Sequence, residues 1–156
     1  MIICGTGHRP QFCPCGFENI HPWLESLKNN LKACLNELEP HAVICGGAIG
    51  FDTWLAECAL DLNLPLHLYI PFRDQGAKWP KSSQVKYKQI MSRATNVYFV
   101  HEEYCKSCFF DRDKAMVDNA DMVFSLLNPK AQSGGTFYTV KYAESKNKPI
   151  KNFWVD

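Results

Sequence analysis

The sequence predicts a doubly wound α/β domain with a mostly parallel sheet and helices on both faces. Two observations carry that expectation. Short runs that are apolar on both faces, such as Ala42-Val43-Ile44-Cys45, alternate with stretches of helical apolar spacing. Glycine-rich turns then follow the runs, as they do where a parallel strand hands over to a helix. The chain has 156 residues, 46% hydrophobic and 13% aromatic, which suits one domain with a sizeable core and excludes a disordered or collagen-like class.

The elements read in order. Met1 to Cys4 is a strand ending at Gly5, and Pro22 to Glu39 places Leu24, Leu27, Leu31, Cys34, Leu35 and Leu38 on one helical face before Pro40. Ala42 to Cys45 is the second strand; Leu55, Cys58, Ala59 and Leu62 line a second helix that closes at Asn63 and Pro65. Leu66 to Ile70 is a third strand stopped by Pro71, Ser82 to Ala94 a third helix, and Val97 to Val100 a fourth strand. Asp111 to Asn119 is helical, Met122 to Leu127 a strand, Thr136 to Lys146 a helix and Ile150 to Val155 the last strand. No repeat or linker composition divides the chain, so residues 1–156 read as a single domain.

In such a sheet ligands sit beyond the carboxyl ends of the strands, where strand order reverses. Four loops at those ends stand out. Gly5-Thr6-Gly7-His8-Arg9-Pro10 pairs glycines with a guanidinium suited to phosphate, although Pro10 replaces the third glycine of a dinucleotide fingerprint. Gly46-Gly47-Ala48-Ile49-Gly50-Phe51-Asp52 opens a helix, whose orphan N–H groups and dipole favour an anion; Asp52 caps that helix or, alternatively, faces a ribose hydroxyl. Pro71-Phe72-Arg73 through Trp79 brings aromatics beside polar groups, as a base pocket would. Ser133-Gly134-Gly135-Thr136 is a second paired-glycine helix entry. Arg112 opens a helix after the fourth strand, within reach of a ligand phosphate. Together these imply an anionic, nucleotide-like ligand. No Walker pattern occurs.

The same residues, with Asp111-Arg112, the run Met116 to Asp121, and the segment from Ser133 through Tyr142-Ala143, resemble the SLOG superfamily over nearly the whole chain. That group links DNA-processing protein A with the Lonely Guy phosphoribohydrolases, and the likeness is closest to its small stand-alone branch, often encoded by phages or prophages. The resemblance implies a Rossmann-like domain that binds nucleotides or derivatives such as ADP-ribose or NAD, with the glycine loops as phosphate cradle, acting as a sensor or sequestering protein. Its alternative is N-glycosidic hydrolysis or transfer. The Lonely Guy enzymes carry a glutamate soon after the glycines, whereas here Gly135 is followed by no carboxylate until Glu144. Asp52 and Glu57 are the remaining carboxylate candidates, and whether the protein is an enzyme stays open. Single-stranded DNA is a minor alternative, disfavoured by a net charge of +1 and the lack of a Lys/Arg stripe.

His8 is the one histidine in a glycine loop; His21, His41, His67 and His101 read as serving turns or strand faces. Of eight cysteines, Cys4, Cys34, Cys45 and Cys58 fall in apolar patterns, while Cys13, Cys15, Cys105 and Cys108 lie in loops. If the strands before those loops are neighbours, the two pairs meet and could hold zinc; free loop thiols are the competing reading. No run approaches the ~18 apolar residues of a membrane span and no export leader precedes the first strand, so a cytoplasmic protein without a membrane partner is expected, with a homo-oligomer left open.

Overall fold

The computed structural model describes residues 1–156. Six strands form one all-parallel sheet: β1 (Ile2–Gly7), β2 (Ala42–Cys45), β3 (Leu66–Phe72), β4 (Asn96–His101), β5 (Met122–Leu126) and β6 (Ile150–Asn152). Five helices connect them: α1 (Pro22–Leu38), α2 (Phe51–Asp61), α3 (Lys81–Arg93), α4 (Cys108–Asp118) and α5 (Gly135–Ser145). The Rossmann-like α/β class is thus as the sequence predicts, and no helix is long and apolar enough to cross a membrane.

The strand order is β4-β3-β2-β1-β5-β6. From β1 the chain adds strands outward on one side, and right-handed crossovers then put α1, α2 and α3 on one face. After β4 it returns to place β5 beside β1, and the reversed direction puts α4 and α5 on the other face. Two cores follow. Leu27, Leu31 and Leu35 of α1 join Phe51 and Leu55 of α2 and Ile3 and Leu68 of the sheet in the larger one. Cys4 and Ile44 on the opposite side of the sheet pack with Met116, Val117 and Ala143.

This order corrects one expectation. β4 is an edge strand three positions from β1, about 14 Å away at ordinary strand spacing. Strands β1 and β4 are therefore not neighbours across a switch point. Cys13 and Cys15 instead pack into the larger core, their Sγ atoms near the carbonyls of Arg9 and Gly16, so the set Cys13, Cys15, Cys105 and Cys108 does not converge on one ion.

Element boundaries differ from the sequence reading where glycine and proline were taken as stops, at α4, which starts at Cys108 rather than Asp111, and at β6, which ends at Asn152 rather than Val155. β1 runs on through Gly5-Thr6-Gly7, which pair with Phe124, Ser125 and Leu126 of β5. β3 runs through Pro71, because β2 ends at Cys45 opposite Leu68 and leaves β3 without a neighbour on that side further along. Helix α2 closes as expected at Asn63, in the left-handed region with φ 57°.

The glycines of β1 are packing residues. A Cβ on Gly7 would lie 2.4 Å from Cβ and Cγ of Phe51, and one on Gly5 would lie 2.3 Å from a methyl of Leu55. Their missing side chains let α2 lie close on β1. Gly135, by contrast, has open space where a Cβ would go. Gly7→Ala should therefore destabilise the fold by about 1–3 kcal/mol, the usual effect of overpacking beside a stem that cannot move, while Gly135→Ala should leave stability nearly unchanged. Urea denaturation of the two variants beside the parent chain measures both.

Candidate functional site

A cleft of about 540 Å³ opens at the carboxyl ends of β1 and β5, where the strand order reverses. The loop after β1, the amino end of α2, one side of α4 and the loop entering α5 form its walls. Of the residues singled out from sequence, Thr6, Gly7, His8, Arg9, Ala48, Asp52, Arg112, Ser133, Gly134, Gly135 and Thr136 line it. Gly5, Gly46, Gly47, Gly50, Pro71 and Phe72 do not.

Several of these absences have a packing reason. A Cβ on Gly46 would come within 2.8 Å of Arg112 and Asp52, so that glycine makes room for a guanidinium and a carboxylate of the protein itself. Gly50, at φ 105°, admits the backbone of His8 and Arg9 against the start of α2, and Phe51 N–H donates to His8 O at 3.2 Å. Phe72 stacks edge-on with Tyr104 and Phe109. Trp79 packs on Tyr87 at the rim of a separate cavity of about 470 Å³.

The first loop is held across the switch point by His8. Its N–H donates to Leu126 O at 3.2 Å, and its Nε2 accepts from Asn128 N–H at 2.9 Å, which requires the neutral ring. Burial pushes the His8 pKa down and favours that form. Arg9, next in sequence, is exposed, forms no ion pair and lies 6.0 Å from the Phe109 ring.

Arg112 has a different task from the one its position suggested. It is 4% exposed, and its Nη1 donates to the carbonyl oxygens of Gly46 and, at 3.3 Å, Tyr69, while its Nε donates to Asp113 Oδ1 at 2.7 Å. The guanidinium thus ties α4 to the end of β2 and the middle of β3. Asp113 in turn accepts from Thr139 Oγ1 at 3.0 Å, joining α4 to α5. Asp113 lines the cleft and was missed in the sequence; the signal was its place next to Arg112, which becomes informative once α4 is known to pack across β2 and β3 there.

Asp52 is not the cap of α2 that its residue type predicts. Gly50 holds that position, and Asp52 sits in the first turn, where its Oδ2 accepts from Ala48 N–H at 3.2 Å. The amino end of α2 is therefore partly answered by the protein's own carboxylate. Burial pushes the Asp52 pKa up to about 6; Arg112 opposes the rise and Asp113 adds to it. Glu57 faces away, between Lys28 and Lys86.

The amino end of α5 is the open one. Gly134 holds the cap position at φ 103° with no side-chain hydrogen bond, and nothing lies within 4 Å of where its Cβ or that of Gly135 would stand. The first-turn N–H groups there point toward the cleft mouth with the positive end of the helix dipole.

A Rossmann-like parallel sheet whose cleft is bounded by these glycine loops defines a SLOG superfamily domain. Residues 3–155 match the YspA SLOG family, and the chain belongs to it. A UPF0398 protein of Bacillus thuringiensis (strain Al Hakam) is 25% identical over 97% of this chain and 86% of its own length. Among solved structures, DNA processing protein A of Streptococcus pneumoniae superposes with a TM-score of 0.68 at 18% identity, covering 96% of this chain and 49% of that one. DNA processing protein A of Helicobacter pylori, described for its single-stranded DNA binding mode, gives 0.65 at 17% over 97% of this chain and 64% of that chain. The chain thus spans less than two thirds of either, and the likeness shows the shared fold.

The raised Asp52 pKa has a sign that can be checked. Between its ordinary value of 3.8 and about 6 the folded chain holds a proton that the unfolded chain releases. The associated stability is present below about pH 3.8 and is lost as pH rises through about 6. Asp52→Asn carries no such titration. Its stability relative to the parent should therefore rise by about 1–3 kcal/mol from pH 4 to pH 7, read from urea unfolding at each pH.

Proposed function

We propose that the cleft binds a phosphate-bearing nucleotide or nucleotide-derived molecule, of the ADP-ribose, NAD or nucleoside phosphate class, as a sensing or sequestering protein. The observation that carries this reading is the pairing of the open amino end of α5 with the unpaired guanidinium of Arg9 in one cleft at the switch point. An anion held there meets backbone donors at Gly135 and Thr136 and a planar cation opposite. A volume of about 540 Å³ falls in the range of small-molecule sites. The amino end of α2 serves less well as a phosphate cradle, because Asp52 puts a carboxylate in its first turn and Phe51 N–H already donates to His8 O.

N-glycosidic hydrolysis or transfer is the second reading, and one observation favours it. Asp52 and Asp113 both line the cleft, one carboxyl pushed up to about 6 and the other paired with Arg112. Two carboxyl groups in unlike environments are what proton donation beside a stabilising carboxylate requires.

Single-stranded DNA is a third reading, raised by the likeness to DNA processing protein A. It corrects the weight that overall charge put against nucleic acid. The cleft itself, however, sets Arg9 and Arg112 against Asp52 and Asp113, a balanced lining rather than the basic track that phosphate tracking uses.

Titration calorimetry of the full chain with AMP, NAD, ADP-ribose and an oligodeoxythymidine, with product analysis of each mixture, separates the three. The expected result is saturable binding of a mononucleotide or dinucleotide without base release. Arg9→Ala should weaken it roughly 10- to 100-fold, the worth of a hydrogen-bonded charge contact. Gly135→Val, which fills open space at the helix start, should abolish it while thermal unfolding stays close to that of the parent. Unaltered affinity in both variants would refute the site. Base release from AMP that Asp52→Asn removes would establish the hydrolase reading instead.

A further inference from the structure

The loop from β4 into α4 gathers three soft or borderline metal ligands outside the cleft. One ring nitrogen of His101, Sγ of Cys105 and Sγ of Cys108 lie within 4.8 Å of one another. His101 ends β4, Cys105 lies on the half-exposed loop and Cys108 is the fully buried first residue of α4. Sequence alone placed His101 on a strand face and paired these cysteines with Cys13 and Cys15; the fold replaces that partner with His101.

We propose that His101, Cys105 and Cys108 bind a zinc-class divalent ion with two sulfurs and one imidazole, leaving a fourth position for water or an external ligand. Cys105-Lys106-Ser107-Cys108 is a usual C-x-x-C half-site, and thiolate with imidazole selects zinc over magnesium or calcium. The imidazole is already oriented. His101 Nε2 meets Asp111 Oδ2 at 2.8 Å, and that carboxylate also accepts from Ser107 Oγ at 2.8 Å. Nδ1 is then the nitrogen left for the ion, with Asp111 in the role that a carboxylate plays behind many zinc-bound histidines.

Both sulfurs already converge. The Sγ atoms are 2.7 Å apart, and Cys105 N–H donates to Cys108 Sγ at 2.8 Å. A tetrahedral ion with sulfurs at about 2.3 Å separates them by about 3.8 Å, so Cys105 must swing outward by about 1 Å. Its exposed loop permits that. Two thiolates balance the charge of the ion, and the amino end of α4 adds its dipole at Cys108. The bound ion would fix the first turn of the helix that carries Phe109, Arg112 and Asp113 into the cleft wall.

The test uses the full chain, kept reduced and stripped of metal, then given zinc or cobalt and freed of excess. We expect one zinc per chain by elemental analysis, and a cobalt form with thiolate charge-transfer absorption and the intense visible bands of tetrahedral coordination. Cys105→Ser and His101→Ala should each weaken retention roughly tenfold or more, with circular dichroism confirming the fold. Asp111→Asn should weaken it less than either. Failure of the parent to retain zinc, a cobalt spectrum without sulfur ligation, or equal retention by both ligand variants would overturn the proposal. So would a Cys105–Cys108 disulfide, found by mass spectrometry in the reduced preparation, in place of bound metal. The cobalt spectrum of the parent decides alone if a variant fails to fold.

Discussion

The buried guanidinium of Arg112 is the constraint on which the cleft depends. A charge that is 4% exposed must be partnered, and its partners come from the turn after β2, from β3 and from its own helix. The carbonyl of Gly46 lies just past the end of β2 and that of Tyr69 midway along β3, and Asp113 continues the chain of contacts to Thr139 on α5. Removing one partner of such a buried pair typically costs about 3–5 kcal/mol, because the other charge is left uncompensated. Arg112, through Asp113, thus links β3 and the turn after β2 to α5.

That clamp explains why two glycine loops of similar sequence have different roles. Gly46 lies against the guanidinium and Asp52, and the amino end of α2 is answered from within the protein. Gly134 and Gly135 lie against nothing. The α5 side of the cleft therefore keeps an open helix start, with Arg9 lining the same cleft, while the α2 side supplies a carboxyl whose burial holds its proton to about pH 6. Electrostatically the cleft is polar but balanced, with Arg9 and Arg112 set against Asp52 and Asp113.

Much of this architecture was legible because the signals were local. Apolar runs on both faces and helical spacing marked all eleven main elements, and the helix ends at Pro40 and Asn63 followed from backbone preferences of single residues. The errors share a cause. Gly5 and Gly7 read as a turn because a glycine permits one, yet here they make space for Phe51 and Leu55, residues more than forty positions away. Asp52 read as a cap because its type favours that position, and only the docking of His8 and Arg9 on Gly50 shows that a glycine is needed there instead.

By itself the sequence determined the α/β class, the parallel sheet, the SLOG kinship and the set of loops from which a site would be built, since each depends on residue type and short-range periodicity. Tertiary structure decided which strands are neighbours. Order β4-β3-β2-β1-β5-β6 puts β5 beside β1 and sends β4 to the edge. That arrangement separates Cys13 and Cys15 from Cys105 and Cys108, brings Asp113 to the cleft and sets His101 beside two thiols. Crossover connections are long enough to reach several strand positions. The choice among them rests on burying both faces of the sheet at once, a condition no local stretch of sequence carries.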